Sequence, residues 1–184
     1  SAENLRAIKH EMDGMTDAEK LLRDTLTDVG AAVEPCLEQL WVYLGFLQRE
    51  GEKRNISKYR TENDILIYHF VDSLQVLRFQ GIVGMERVID IGTGPGVPGI
   101  PCALARPAWE ITLVDAQKKN GEFLRTVCGQ LFPVRGRVVS ERSEELAHNS
   151  IERGMYDIAL ARGVAPFAQL LELSLPFLKV GGHL

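Results

Sequence analysis

The feature that most constrains the fold is a short apolar run that ends directly in a loop of glycines and prolines. Residues 88–101 read VIDIGTGPGVPGIP. Because glycine has no Cβ, Gly92, Gly94 and Gly96 let the backbone turn sharply and approach a ligand closely. Pro98 suits the first turn of a following helix. The segment predicts a strand, a glycine turn and a helix N-terminus, which together form a nucleotide site; the alternative is a tight turn without a ligand.

The same rhythm of short apolar runs and helical stretches continues to the end of the chain. Predicted strands are VIDI, ITLVD, GRVV and YDIALA. Strands that alternate with helices predict a parallel sheet with helices on both faces, so the fold class is α/β. The first eighty residues have helical signals instead, including a capping box at Thr16 and Glu19 and a cap at Thr61. We therefore predict a helical N-terminal region, 1–80, and an α/β domain, 81–184.

Composition bounds the function further. The chain has 184 residues and is 45% hydrophobic, enough for one sizeable core. A net charge of −4 argues against coating nucleic acid by bulk charge but permits a local basic face. Neither a long apolar run nor a secretory leader is evident, so we expect a cytosolic protein. Cys36, Cys102 and Cys128 lack metal-ligand spacing, which predicts reduced, buried thiols and no metal site.

Two acidic residues bear on which nucleotide the loop binds. Gly94, Gly96 and Gly99 satisfy the dinucleotide pattern, but that match alone is weak. Asp90 precedes the first glycine by two residues, where a carboxylate would repel a pyrophosphate but suit a cationic amino-acid group. Asp115 closes the next predicted strand and can accept hydrogen bonds from ribose hydroxyls. A helix N-cap is the alternative role for Asp115.

Several motifs together resemble one known family. DIGTGPGVPGIP, LVDAQKK, SERSEE and ALARG, with HFVDSL upstream, are similar to the bacterial 16S rRNA (guanine-N7) methyltransferase family, also called glucose-inhibited division protein B, over roughly residues 55–184. The resemblance implies a Rossmann-like class I methyltransferase sheet behind a helical N-terminal extension. It implies S-adenosyl-L-methionine as donor and N7 of a guanosine, in 16S rRNA or the small ribosomal subunit, as acceptor. The family continues past GGHL, so we expect strands that complete the sheet to be missing.

The resemblance also implies site residues. Gly92 and Val97 match the family's glycine-loop contacts, and Asp115 its ribose-binding acid. Ser143 and Glu144 match an adenine-side pair, and Arg162 an arginine at the cofactor pocket. The predicted cofactor-binding residues, including those chosen from the loop itself, are Asp90, Gly92, Gly94, Gly96, Val97, Asp115, Ser143, Glu144 and Arg162.

Arg162 and His69 are the predicted catalytic residues. His69, Asp72 and Ser73 lie at i, i+3 and i+4 on one predicted helix, so they can touch a common neighbour. Simpler readings are that His69 pins its helix by hydrogen bonds and that Arg162 is a salt-bridging core arginine. Guanine N7 has an in-plane lone pair and no proton, so its methylation needs alignment rather than a general base. ALARGVAPF carries neither an NPPY-like motif nor a cysteine nucleophile, which fits N7 transfer and also small-molecule O- or N-methylation.

A basic stretch near the pocket suggests contact with RNA. Residues 50–60, EGEKRNISKYR, predict a basic loop, and the candidate phosphate contacts are Lys53, Arg54, Lys58, Arg60, Lys118, Lys119, Arg135 and Arg137. The family's lysine-arginine pair after the ribose acid appears here as Lys119 and Asn120, with one cation lost. The resemblance and these residues together predict a monomeric rRNA methyltransferase. Rival functions are a small-molecule methyltransferase, an NAD-dependent oxidoreductase and a noncatalytic protein that binds an adenosyl cofactor.

Overall fold

The computed structural model describes residues 14–82, 84–132 and 135–184, except for the side chains of residues 51 and 52. Five strands form one sheet: β1 Arg87–Ile91, β2 Glu110–Val114, β3 Gly136–Val139, β4 Tyr156–Ala161 and β5 Leu178–His183. The helices are α1 Asp17–Asp28, α2 Val33–Arg54, α3, α4 Gly99–Ala105, α5 Lys118–Leu131, α6 Ser143–Leu146 and α7 Phe167–Ser174. Helix α3 consists of four consecutive pieces: Glu62–Ile65 (α), Leu66–Val71 (π), Asp72–Leu74 (α) and Gln75–Arg78 (3-10).

Helix starts follow the predicted capping residues. At α1 the Glu19 N–H donates to Thr16 Oγ1 at 3.2 Å and the Thr16 N–H donates to Glu19 Oε2 at 2.6 Å, which confirms the capping box. The Asp64 N–H donates to Thr61 Oγ1 at 3.2 Å and caps α3. These side chains satisfy amide groups that have no partner inside a helix.

The predicted basic loop at 50–60 is wrong in its first half. Helix α2 continues to Arg54, and the chain leaves it at Asn55, which has a φ of +49°. Lys53 and Arg54 form ion pairs with Glu50, one helical turn back, at 3.6 and 3.2 Å. Cations are favourable in a last helical turn, because they oppose the negative end of the helix dipole.

The sheet is entirely parallel, with the order β3-β2-β1-β4-β5. Central strand β1 pairs with β2 on one side and with β4 on the other, so Ile91 lies between Val114 and Ala161. The strand order reverses direction at β1, and ligands of such sheets bind at the carboxyl ends of the strands at that point. The predicted α/β class with a Rossmann-like sheet is confirmed.

Both faces of the sheet are covered. One core joins the N-terminal helices to the sheet, since buried Leu40 and Leu66 belong to the same cluster as Leu113 and Leu160. A smaller cluster on the opposite face contains Ile89, Leu146 and Phe177. Alternation along β1 places Val88 in the first cluster and Ile89 in the second, as expected for a strand buried on both faces.

The burial of the cysteines and the length of the helices can be compared with what the composition predicts. Cys36, Cys102 and Cys128 are buried, as predicted, and form no disulfide with one another. Burial raises the pKa of Cys36 and of Cys128 to about 12, so neither is a thiolate at neutral pH. Within the described part of the chain, every helix is too short or too polar to cross a membrane.

Candidate functional site

The glycine loop adopts a backbone conformation that other residues rarely take. Gly92, Gly94 and Gly96 have φ values of +63°, +58° and +104°. A Cβ on Gly92 would lie 2.7 Å from Val164 Cγ2, so the loop after β4 packs directly on this glycine. Helix α2 supports the loop from below, because the Tyr43 hydroxyl donates to the Pro95 carbonyl at 2.6 Å. The loop is therefore held between the helical region and the end of β4.

Asp90 lies beneath the loop rather than in open space. Its carboxyl is fully buried, and Oδ2 accepts from the Thr93 hydroxyl at 2.6 Å and from the Gly99 N–H at 2.8 Å. Oδ1 has no hydrogen-bond partner among the described residues. Burial raises the pKa of Asp90 to about 7, and the bonds from Thr93 and Gly99 oppose that rise. Asp90 thus connects the end of β1 to the loop and to the start of α4.

Asp115 connects the end of β2 to the same loop. Its Oδ2 accepts from the Gly94 N–H at 2.9 Å. Its Oδ1 accepts from the Gln117 N–H at 2.8 Å and from Asn120 Nδ2 at 3.0 Å. Sequence reasoning counted Asn120 only as a lost cation. In the structure its buried amide orients the acid, and its place in the first turn of α5, five residues after Asp115, is the signal that was available.

A cleft of about 230 Å³ opens where these elements meet. It gathers four of the predicted site residues: Gly92, Asp115, Ser143 and Glu144. Ser143 begins α6, and its hydroxyl donates to Glu144 Oε2 at 3.3 Å. The remaining wall comes from Ile91, Val114, Ala116, Glu141, Arg142, Val164, Ala165, Gln169 and Leu173.

The other predicted loop residues do not line this cleft. Asp90 is buried beneath the loop, and Gly96 packs against Ile100 and Tyr43. Val97 is also buried, with its N–H donating to the Thr93 carbonyl at 3.1 Å. Gly94 reaches the site through its bond to Asp115. These residues fix the conformation of the loop, whereas Gly92 itself lines the cleft.

Arg162 lies just past the end of β4 and ties that strand to α3. Its Nη1 donates to Asp72 Oδ2 at 2.6 Å and to the Tyr68 carbonyl at 2.9 Å, and its Nη2 lies 3.2 Å from His69 Nδ1. The common neighbour expected for His69 and Asp72 is therefore Arg162. Ser73 does not share it, since its hydroxyl donates to the His69 carbonyl.

His69 is buried and bonded through both ring nitrogens. Burial, and then the charge of Arg162, lower the pKa of His69 to about 4, so the ring is neutral at pH 7. A guanidinium only donates, which makes Nδ1 the acceptor and leaves the proton on Nε2. Nε2 then donates to Ser57 Oγ at 2.7 Å. A chain of hydrogen bonds thus runs from Ser57 through His69 to Arg162.

Sequence patterns did not reveal the π-helical piece of α3, Leu66–Val71, which carries His69. Such turns are rare and occur frequently at functional sites. Beside it lies a second cavity of about 320 Å³, with Asp72 and Arg162 among mostly apolar walls that include Val76, Leu160 and Phe167. The segment after β4 therefore separates this cavity from the cleft at Gly92.

The candidate phosphate contacts do not form one patch. Arg135 and Arg137 lie at the start of β3, at the opposite edge of the sheet from the glycine loop and apart from the other candidate phosphate contacts. Arg137 is also occupied, with its Nη2 2.6 Å from Glu152 Oε2 and 2.8 Å from the Tyr156 hydroxyl.

Other candidate cations lie on the site's side of the sheet, at the end of α2, in the loop after it and in the first turn of α5. Lys119, in the first turn of α5, donates to the carbonyls of Arg54 and Asn55 at 3.2 and 3.3 Å. Arg54 pairs with Glu122 at 2.9 Å. Lys58 and Arg60 are exposed beside the His69 network. The basic surface near the site is therefore narrower than the sequence suggested.

Comparison with known proteins identifies the family of this chain. Residues 36–184 match the model of the family described as rRNA small subunit methyltransferase G. The chain is 38% identical over 171 residues to ribosomal RNA small subunit methyltransferase G of Deinococcus radiodurans, covering 92% of this chain and 68% of that protein. It is 40% identical over 147 residues to the protein of the same name from Caldanaerobacter subterraneus, covering 80% of this chain and 62% of that protein.

Among solved structures, a candidate S-adenosyl-L-methionine-dependent methyltransferase from Methanococcus maripaludis has the same fold. The TM-score is 0.56 at 22% identity, covering 72% of this chain and 59% of that one. The fold, the motifs around the glycine loop and the extent of the family match lead to one conclusion: this chain belongs to the rRNA small subunit methyltransferase G family.

Proposed function

We propose that the chain transfers a methyl group from S-adenosyl-L-methionine to N7 of a guanosine in 16S rRNA. The observation that carries the proposal is the cleft that joins Gly92, Asp115, Ser143 and Glu144 at the carboxyl edge of the sheet. The family match and the relatives named as ribosomal RNA methyltransferases support the acceptor. The chain spans 68% and 62% of the length of those two relatives.

The residues of the cleft fit an adenosyl cofactor. A carboxylate offers about four acceptor positions, and three at Asp115 are occupied by Gly94, Gln117 and Asn120. The position left on Oδ2 suits a ribose hydroxyl. Ser143 and Glu144 line the same cleft and would hold the adenine. The loop, shaped by Asp90, Gly94, Gly96 and Val97, would hold the methionine end against Gly92.

Arg162 and His69 would act by position and charge. When bound, S-adenosyl-L-methionine supplies an electrophilic methyl group. Arg162 borders the second cavity, whose apolar walls suit a purine base, so we assign this cavity to the acceptor. His69 has both nitrogens bonded and a pKa near 4, so it is a poor general base at neutral pH. We propose that His69 holds Arg162 in place, which fits an acceptor atom that has no proton to lose.

The wider setting follows from the acceptor. We propose that the activity is cytoplasmic, which fits a ribosomal RNA substrate, and that a monomer is the working form. Lys58, Arg60 and Lys118 are exposed cations on the site's side of the sheet and would contact phosphates. We further propose that residues 1–80 form the helical region and that 81–184 bind the cofactor.

Methyl-labelled cofactor tests the proposal directly. The protein is incubated with labelled S-adenosyl-L-methionine and either small ribosomal subunits or 16S rRNA that lack the modification, and the RNA is digested to nucleosides. We expect the label in 7-methylguanosine. A protein that binds the cofactor but labels neither form of RNA would contradict the rRNA assignment and leave a small-molecule methyltransferase or a noncatalytic cofactor-binding protein. Separate titrations with S-adenosyl-L-methionine and NAD exclude or establish the oxidoreductase.

A further inference from the structure

A pair of stacked tyrosines lies beside the site and has no role in the function described above. The rings of Tyr59 and Tyr68 have centroids 4.8 Å apart and planes 16° from parallel. Tyr59 is partly buried against the core, whereas Tyr68 is 48% exposed. One ring thus supports the pair, and the other presents an aromatic surface to solvent.

The site network holds both tyrosines in place. The Tyr59 N–H donates to Ser57 Oγ at 3.1 Å, and the same oxygen is bonded to His69. The Tyr59 ring also meets the edge of the His69 ring at 5.0 Å. The Tyr68 carbonyl accepts from Arg162. Because their surroundings fix them, little conformational entropy would be lost when a ligand stacks on them.

An exposed cation lies directly beside the pair. Lys58 Nζ lies 4.9 Å from the centre of the Tyr59 ring, and Arg60 follows in the same loop. Two carboxylates, Asp64 and Asp72, lie four residues before and after Tyr68 on α3. Asp72 is paired with Arg162. Glu62, at the start of α3, is a third carboxylate in this segment, so the contact with an anionic strand rests on exposed Lys58 beside the Tyr59 ring.

We propose that Tyr59 and Tyr68 form a stacking platform for an unpaired base of the RNA substrate, with Lys58 beside it as a phosphate contact. Proteins that bind single-stranded nucleic acid combine exposed aromatic rings with nearby cations in this way. The platform rests on the proposed function and adds to it that the RNA is read in a single-stranded segment. Tyr68 is bonded through its carbonyl to Arg162, which directly follows the last residue of β4. That end of β4 pairs with the end of β1, where Gly92 begins the loop. The platform therefore lies at the same edge of the sheet as the cofactor cleft.

Fluorescence of a stacked base tests the platform without methyl transfer. The probe is a single-stranded RNA dodecamer with one central 2-aminopurine, whose emission falls when the base stacks. We expect Tyr68→Leu to weaken binding about fivefold or more and to remove most of the quenching, since one stacked base contributes about 1 to 3 kcal/mol. Tyr68→Phe keeps the ring and should remain within about twofold of the parent protein. The matched control is Phe79→Leu, because Phe79 directly follows the end of α3 and its ring is 52% exposed. It should change neither the binding nor the quenching.

Salt dependence tests the cation separately. Loss of one phosphate contact lowers the slope of log affinity against log salt by about 0.7 for a single strand. We expect that change in Lys58→Ala and no change in Lys179→Ala, whose lysine lies on edge strand β5. Unchanged quenching in Tyr68→Leu, or an equal loss in Tyr68→Phe, overturns the platform whatever the methylation assay shows. Absence of label in 7-methylguanosine overturns the proposed function and leaves the stacking result standing.

Discussion

Gly92 and Gly94 have similar backbone conformations but different surroundings. Their φ values are +63° and +58°, and a Cβ would meet Val164 at Gly92 and open space at Gly94. Alanine costs about 1 to 2 kcal/mol in this left-handed region. We expect Gly94→Ala to lose about that much free energy of unfolding. Gly92→Ala should lose more and should also bind S-adenosyl-L-methionine at least about tenfold more weakly, about 1.4 kcal/mol.

Denaturant unfolding and calorimetric titration of the two variants separate backbone strain from the contact with Val164. The double variant Gly92→Ala with Val164→Ala provides a further control, because it removes the side chain that the new Cβ meets. It should recover stability to about the level of Gly94→Ala. Equal losses of unfolding free energy and of cofactor affinity in the two single variants would mean that close packing at Gly92 has no part in the site.

The buried ring of His69 makes a prediction about acid stability. Its pKa is about 4 in the folded chain, against an ordinary value of 6.5. Between these pH values the unfolded state binds more protons, so the His69 contribution is complete above pH 6.5 and is lost as pH falls toward 4. The loss approaches about 1.4 kcal/mol per pH unit.

Unfolding free energies of the parent protein and of His69→Gln, measured from pH 8 to pH 4.5, test this. The difference between the two proteins isolates the histidine, because Asp90 and other acids titrate in both. We expect that difference to be constant above pH 6.5. Below that pH the parent protein should lose more unfolding free energy than His69→Gln does. A difference that stays constant over the whole range would show that His69 is not held neutral.

At the scale of elements, the contact between α3 and β4 depends on the planar fork of Arg162. One guanidinium reaches the Tyr68 carbonyl, Asp72 and His69, and a lysine ammonium cannot span all three. If this contact sets the geometry beside the acceptor cavity, Arg162→Lys and Arg162→Ala should each lower the rate of methyl transfer at saturating cofactor at least about tenfold.

Arg137 offers a matched control for that experiment. It is also a forked arginine, bonded to Glu152 and Tyr156, but at the opposite edge of the sheet. We expect Arg137→Lys to shift the thermal midpoint without a comparable loss of transfer below that temperature. If transfer falls in both variants only in proportion to the midpoint, Arg162 is a structural arginine and has no place in the site.

At the scale of the whole molecule, local signals predicted the elements and long-range contacts did not. Strands β1 to β4 follow from apolar runs, and the glycine loop follows from glycines at every second position, 92, 94 and 96. The partners of Arg162 lie about ninety residues away, and the support of Pro95 by Tyr43 spans 52 residues. No spacing rule reaches so far. The position of Arg135 and Arg137 does follow from a local signal, because a residue at the start of a parallel strand lies at the edge opposite the ligand site.

The shared core predicts that the helical region and the sheet unfold together. Leu40 and Leu66 pack in the same cluster as Leu113 and Leu160, so separating the two parts would expose the apolar surface that this cluster buries. In Trp41→Phe the remaining tryptophan, Trp109, is buried at the start of β2 and reports on the sheet, while far-ultraviolet circular dichroism reports mainly on the helices. We expect the two signals to follow one denaturation curve with one midpoint. Two separated midpoints would show that the helices form an independent unit. The geometry of Asp115 and the glycine loop would then not depend on the contact of Tyr43 with Pro95.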